Sequence, residues 1–204
     1  MPSFRIATPR GPAEVEIFDP DRPPASLLVL GHGAGGGVSA PDLTRIRDVA
    51  VSGGVRVALI TQPYRVAGRR SPAPAQHLDE AWTAVVREIA PGNVPLLVGG
   101  RSSGARVACR TAAGLGAAGV LALAFPLHPP GRPDRSRAGE LPGDVPTLVV
   151  NGDRDPFGVP EAGGAVEVVV RPGATHDLRK DLAGTAAAVR AWLIRHGWAS
   201  PDLP

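Results

Sequence analysis

Six short, near-continuous apolar runs limit what this chain can fold into more than any other feature. They are "SLLVLG" (26–31), "VRVALI" (55–60), "PLLVGG" (95–100), "GVLALAF" (119–125), "PTLVVNG" (146–152) and "AVEVVV" (165–170). Runs of this kind, without polar alternation, are strands buried on both faces. A seventh, "AEVEIFD" (13–19), alternates with period two, as an edge strand does. Between the runs lie segments with helical spacing, over about 41–53, 74–90, 102–115 and 180–197. Leu78, Trp82, Val85, Val86 and Ile89 fall on one face of the second. Leu182, Val189, Trp192 and Leu193 do the same in the last, where Gly197 stands at the position of a C-terminal cap. Strand–helix alternation predicts an α/β fold, a mostly parallel sheet with helices on both faces.

At 204 residues the chain suits a single domain, taken here as 1–204. Aromatic residues make up only 4%, so Val, Leu and Ala must fill the core. Lys and Arg number 22 against 19 Asp and Glu, and Lys180 is the one lysine. The arginines are scattered, with no basic run of five, which argues against nucleic acid as a partner. Cys109 stands alone, so an intrachain disulfide and a thiolate metal site are excluded. "MPSFRIATPRGP" lacks the apolar stretch of a secretory leader, and no run reaches the ~20 residues of a membrane span. The expectation is a cytoplasmic protein without a membrane partner.

Two irregular segments follow strand ends, 61–73 and the Pro/Gly/Arg-rich 126–145. Long loops inside a compact domain are often functional, and this sheet edge is where α/β folds bind ligands.

The glycine-rich turn "GHGAGGG" (31–37) admits two readings. Gly31, Gly33 and Gly36 fit G-x-G-x-x-G, but the next run ends in Thr61-Gln62 instead of the acid that holds a ribose. Pro41 and Asp42 also start the following helix too late to meet a pyrophosphate. No Gly-Lys-Ser/Thr occurs, so a P-loop is absent. No nucleotide cofactor is expected.

The other reading needs a nucleophile, and "GGRSSGAR" provides one. Gly100-Arg101-Ser102-Ser103-Gly104 is G-x-S-x-G between a buried strand and a helix. Glycines two before and two after Ser102 permit a turn tight enough to lift its hydroxyl out of the sheet edge. Taken alone, the pentapeptide serves as well for a flexible turn with hydroxyl caps. A serine nucleophile further needs a base and an orienting acid, in the chain order Ser, Asp/Glu, His. "GDRDPFG" places Asp153 and Asp155 beyond one strand, and "GATHDL" places His176 beyond the last. Asp155 is favoured because it precedes Pro156, which pushes it toward extended geometry; Asp153 reads as a turn cap.

Together "LGHGAGG", "GGRSSGARVA", "FPLHPPG", "VPTLVVNGDRDPFG" and "GATHDL" resemble the α/β-hydrolase superfamily. Within it the likeness is to a small, lid-less, dienelactone-hydrolase-like branch. Bacterial predicted hydrolases share that branch with a testis-expressed protein and a histone-acetyltransferase complex subunit. The resemblance covers about residues 25–197. It implies an α/β-hydrolase fold without a cap domain, with Ser102 as nucleophile, Asp155 as acid and His176 as base. This chain departs from the branch in having Ser103-Gly104-Ala105 where Met-Gly-Gly is usual. The glycine turn then becomes half of an oxyanion hole, with the amides of Ala34 and Ser103 as donors.

His32 reads as a structural hydrogen-bonder of that turn. His128, in "FPLHPPG", is a candidate pocket residue, as are Arg65, Arg69 and Arg101. Arg65, Arg69 and Arg70, which follow the strand ending at Ile60, suit either a solvated loop or recognition of an anionic substrate. His77 and His196 read as solvated, and Cys109 as a small buried apolar residue. No histidine pair has metal-ligand spacing, so no metal is expected. The function expected is hydrolysis of a small ester-like molecule through an acyl-enzyme. Two alternatives stay open: an acyltransferase with the same triad, or a non-catalytic scaffold on a hydrolase fold.

Overall fold

The computed structural model describes residues 3–90 and 92–201. Eight strands form one sheet in the order β1-β2-β4-β3-β5-β6-β7-β8. They are β1 (Ser3–Thr8), β2 (Gly11–Phe18), β3 (Ser26–Gly31), β4 (Val55–Thr61), β5 (Leu96–Arg101), β6 (Gly119–Leu123), β7 (Thr147–Gly152) and β8 (Val166–Arg171). The helices are α1 (Pro41–Ser52), α2 (Pro63–Val66), α3 (Ala75–Ile89), α4 (Ser103–Leu115) and α5 (Leu182–Arg195). From β4 to β8 every pairing is parallel; β2 runs antiparallel to both β1 and β4.

The continuous apolar runs have a direct physical cause. Alternate residues of one strand enter different cores. Leu27 and Val29 join the cluster under α3 and α4, with Trp82, Val85, Ala105 and Ala108. Leu28 and Leu30 join the cluster under α1 and α5, with Leu43, Ile46, Val189 and Trp192. A polar residue at any of these strand positions would therefore be buried, whichever face it took.

Three expectations are corrected. The 165–170 run is not buried on both faces: β8 is the last strand of the sheet, paired only with β7 among the described strands, and Glu167 and Val170 on it are exposed. The 13–19 run is not at the edge: β1 lies outside β2 as the other arm of a hairpin. Its alternation arises because Ala13 and Val15 are buried on one face while Glu14 and Glu16 stay part-exposed on the other. His196 is not simply solvated. It stacks on Trp198 with ring centroids 4.5 Å apart and meets the edge of Trp192. Gly197, at φ 72°, does end the last helix as a left-handed residue following the cap His196.

No cap domain covers the sheet edge. Between β6 and β7 there is only a 3₁₀ turn, Ala138–Glu140. Glu140 fastens that loop to α4 through Arg106 (2.8 and 2.5 Å) and Arg110 (3.0 Å). Arg110 in turn pairs with Asp79 of α3. Among the described residues no helix is long and apolar enough to cross a membrane.

Candidate active site

The site is built where β3, β5, β7 and β8 end. Gly31 of β3 lies opposite Gly100 of β5. A Cβ on Gly100 would sit 2.5 Å from the Gly31 carbonyl oxygen, and one on Gly104 would collide with the Gly31 backbone. Both glycines of G-x-S-x-G are thus required by backbone contact with the neighbouring strand. Between them Ser102 turns through φ 53°, ψ −110°, a conformation L residues rarely adopt. It is followed at once by Ser103, the first residue of α4. Ser102 N–H donates to the Leu123 carbonyl of β6 (2.9 Å), which fixes the turn from the other side.

Ser102 Oγ lies 2.9 Å from His176 Nε2, and His176 Nδ1 lies 2.8 Å from Asp155 Oδ2. Asp155 is fully shielded from solvent at its side chain, while the imidazole keeps 20% of its surface exposed. Asp155 Oδ1 accepts the Phe157 N–H (2.9 Å), so both carboxylate oxygens are committed. Because a carboxylate only accepts, the proton belongs on Nδ1, which donates to Asp155 and leaves Nε2 to accept the Ser102 hydroxyl. The Phe157 ring packs 4.4 Å from the imidazole and limits its rotation.

The two loops that carry acid and imidazole are joined by backbone. Arg154 N–H donates to the Ala174 carbonyl (3.0 Å). Asp153 Oδ1 accepts the Gly173 N–H (2.6 Å), so Asp153 caps the histidine loop and not its own turn. The Ala174 backbone crosses directly over Gly152, where any Cβ would clash. Asn151, buried in β7, closes the other side. Its Oδ1 accepts Phe125 N–H (2.8 Å) and its Nδ2 donates to the carbonyls of Phe125 and Gly158.

The glycine turn lies beside Ser102. A Cβ on Gly33 would be 3.6 Å from that of Ser102. His32 fixes the turn: Nδ1 donates to the Gly33 carbonyl (2.8 Å), and Nε2 accepts the Gln62 N–H (3.1 Å). Burial, chiefly, holds its pKa below the ordinary value, and the charge of Arg65 adds to the effect. The Tyr64 hydroxyl donates to the Ala34 carbonyl (2.8 Å) and orients that peptide. Ala34 N–H has no hydrogen-bond acceptor among the described residues. Ser103 N–H, at the first turn of α4, has none within its helix.

The remaining candidates are dispersed. Arg101 does not line an open pocket. Its side chain is largely buried, with Nε 2.9 Å from Asp42 Oδ2 and Nη2 donating to the His176 carbonyl (3.1 Å). The Arg101–Asp42 contact is off the hydrogen-bond line, so charge more than alignment holds it. Burial pushes the Asp42 carboxyl up, and Arg101 opposes the shift. His128 bonds its own neighbour, the Pro129 carbonyl (3.0 Å), and rests against Gly158 of the acid loop. Arg65 donates to the Arg69 carbonyl (3.2 Å). Arg69, exposed, borders a cleft of about 170 Å³ with Gln62, Tyr64 and His77, whose lining does not include Ser102. Burial pushes the Cys109 thiol up to about 12, which leaves it un-ionised and unreactive at neutral pH. Among the described residues no group of three or more His, Cys, Asp or Glu is arranged to hold a metal ion.

Asp42, Tyr64, Gln62, Asn151 and Phe157 were not singled out by sequence. Asn151 carried a signal, an amide within a run otherwise buried on both faces, which must find partners. Asp42 carried a weaker one, an acid in the first turn of a helix.

A serine on a strained elbow, bonded through an imidazole to a buried carboxylate, all at one edge of a parallel sheet, is the arrangement of α/β serine hydrolases. The chain belongs to the alpha/beta hydrolase domain family, whose profile matches residues 24–183. Solved structures agree in fold. A lid-less α/β serine hydrolase from Xanthomonas campestris superposes with a TM-score of 0.79 at 21% identity, over 100% of this chain and 96% of that one. An α/β serine hydrolase homologue from Coxiella burnetii gives 0.75 at 22% identity, over 95% and 96%. Dienelactone hydrolase from Anabaena variabilis gives 0.75 at 17%, again over 95% and 96%. No curated protein matches the chain in sequence.

Proposed function

We propose that the protein is a carboxylic ester hydrolase that works through a Ser102–His176–Asp155 triad and an acyl-enzyme. The observation that carries this reading is the unbroken relay of 2.9 and 2.8 Å contacts from Ser102 Oγ to Asp155. Ser102 Oγ attacks the ester carbonyl carbon while its proton passes to His176 Nε2. The carbonyl π electrons move to oxygen, and the Ala34 and Ser103 amides receive the oxyanion. One such donor contributes about 3 kcal/mol to lowering the barrier. Collapse of the tetrahedral species expels the alkoxide, which takes the proton from His176. Water then repeats the sequence on the acyl-Ser102 ester and releases the acid. Asp155 stays ionised throughout and stabilises the imidazolium.

An uncapped site open to solvent suits a small or medium acyl group. The partner is a small ester-like molecule, and neither cofactor nor metal enters the scheme. A reducing cytoplasm suits the single, buried thiol.

A panel of p-nitrophenyl esters of rising chain length, with peptide and lactone controls, tests the reading. Turnover of the shorter esters, at least ~10⁴-fold lower in Ser102→Ala, is the expected result. Ester turnover unaffected by Ser102→Ala, or none by the folded protein, would contradict it.

A further inference from the structure

Arg101 is the residue between glycine and serine in G-x-S-x-G, a position the elbow itself leaves free. Its guanidinium meets three segments near Ser102. Nε faces Asp42, in the first turn of α1, at 2.9 Å. Nη1 lies under the glycine turn, 3.1 Å from where a Gly33 Cβ would sit. Nη2 holds the carbonyl of His176 itself at 3.1 Å. Asp42 is 1% exposed and has no other cation facing it among the described ion pairs; its Oδ1 accepts the Leu43 N–H at 2.9 Å. A buried charge pair seldom adds stability over apolar residues of the same size, so its presence calls for another role.

We infer that Asp42 and Arg101 form a buried clasp that positions the glycine turn and the His176 loop against Ser102, acting on catalysis without touching substrate. The inference rests on the triad reading above for its effect on rate, but not for its effect on the loops. Asp42 anchors and aims the guanidinium, whose planar fork then reaches two loops at once. Lysine, with one ammonium, could pair with Asp42 or approach the His176 carbonyl, but could not span both. Errors of about 1 Å between nucleophile, base and oxyanion donors lower rates by about 100-fold, so a clasp at this place acts mainly on kcat.

The test uses the full chain and three variants: Arg101→Met, Arg101→Lys, and Asp42→Leu combined with Arg101→Met. Arg101→Met alone strands a buried carboxylate and lowers the thermal midpoint. The double variant removes both charges and recovers much of that loss. If the clasp is real, the double variant and Arg101→Lys, though folded, show raised amide exchange over 32–36 and 174–178. They also show kcat on esters lowered by about 10- to 100-fold, with KM within about twofold of wild type. A role in stability alone predicts that kcat returns with the thermal midpoint. Wild-type exchange and wild-type kcat in the double variant would overturn the inference and leave the ester reading intact. Raised loop exchange in a protein whose wild type turns over no ester would sustain the clasp and overturn the ester reading.

Discussion

Ser102 holds a backbone conformation that costs on the order of 1–3 kcal/mol, and the contacts around it explain why the cost is tolerated. Gly100 and Gly104 press against Gly31 on one side, and the Ser102 amide is bonded to β6 on the other. His32 is a second residue whose environment sets its chemistry. Its Nε2 must stay unprotonated to accept the Gln62 N–H, and burial keeps it so. The unfolded chain protonates this imidazole near its ordinary value of 6.5, the folded chain only at lower pH. Between those two values the unfolded state binds more protons, so stability contributed by His32 is full above about pH 6.5 and declines as pH falls. His32→Ala, which leaves the Gln62 amide and the Gly33 carbonyl without their partner, should cost about 2 kcal/mol at pH 7.5. The gap from wild type should narrow toward pH 5, measured by denaturant midpoints. A gap that is constant or widens as pH falls would mean that His32 is not held neutral.

The elements carry the site by where they end. β3, β5, β7 and β8 finish at the same edge, each followed by a loop that brings one component, and α4 starts on the elbow. The loop 126–145 between β6 and β7 was expected from sequence as irregular and near the site. Its attachment was not expected. Burial alone would raise the Glu140 carboxyl, but the bond and charge of Arg106, with Arg110, outweigh it and hold the group below its ordinary value. That contribution is therefore present above about pH 4.5 and lost as pH falls through the lowered value. Glu140→Gln should weaken the tether by about 1 kcal/mol. It should accelerate trypsin cleavage after Arg135 and Arg137 severalfold at neutral pH, while the contact from His176 to Ser102 stays in place. Unchanged cleavage would show that the Pro-rich loop is held by something other than Glu140.

Across the whole molecule, what was legible in the sequence was what local pattern dictates. Strands buried on both faces announced themselves as unbroken apolar runs, and helices by their spacing; the valine-rich 165–170 run reads the same way, yet it forms the edge strand β8 with Val170 exposed. β1 was missed because Phe4 and Ile6 alternate with polar residues over only six positions, too few to separate a strand from a tail. The order Ser102, Asp155, His176 was legible because this topology fixes which strand end carries which group. The supporting bonds were not. Tyr64 to Ala34, Asn151 to Phe125 and Arg101 to His176 join residues 30, 26 and 75 positions apart, and nothing in local sequence pairs them. Arg101 reads from sequence as a candidate pocket residue for the same reason: a charge beside a nucleophile looks alike whether it points outward or into a buried carboxylate.

The central claim is that distant strand ends converge to make one hydroxyl, that of Ser102, nucleophilic. Reaction with a fluorophosphonate followed by peptide mass spectrometry tests it most directly. The account predicts a single adduct on Ser102, formed by the folded protein, abolished in Ser102→Ala and strongly slowed in His176→Ala. No adduct on the folded wild type, or an adduct on Ser103 or another hydroxyl, would contradict it.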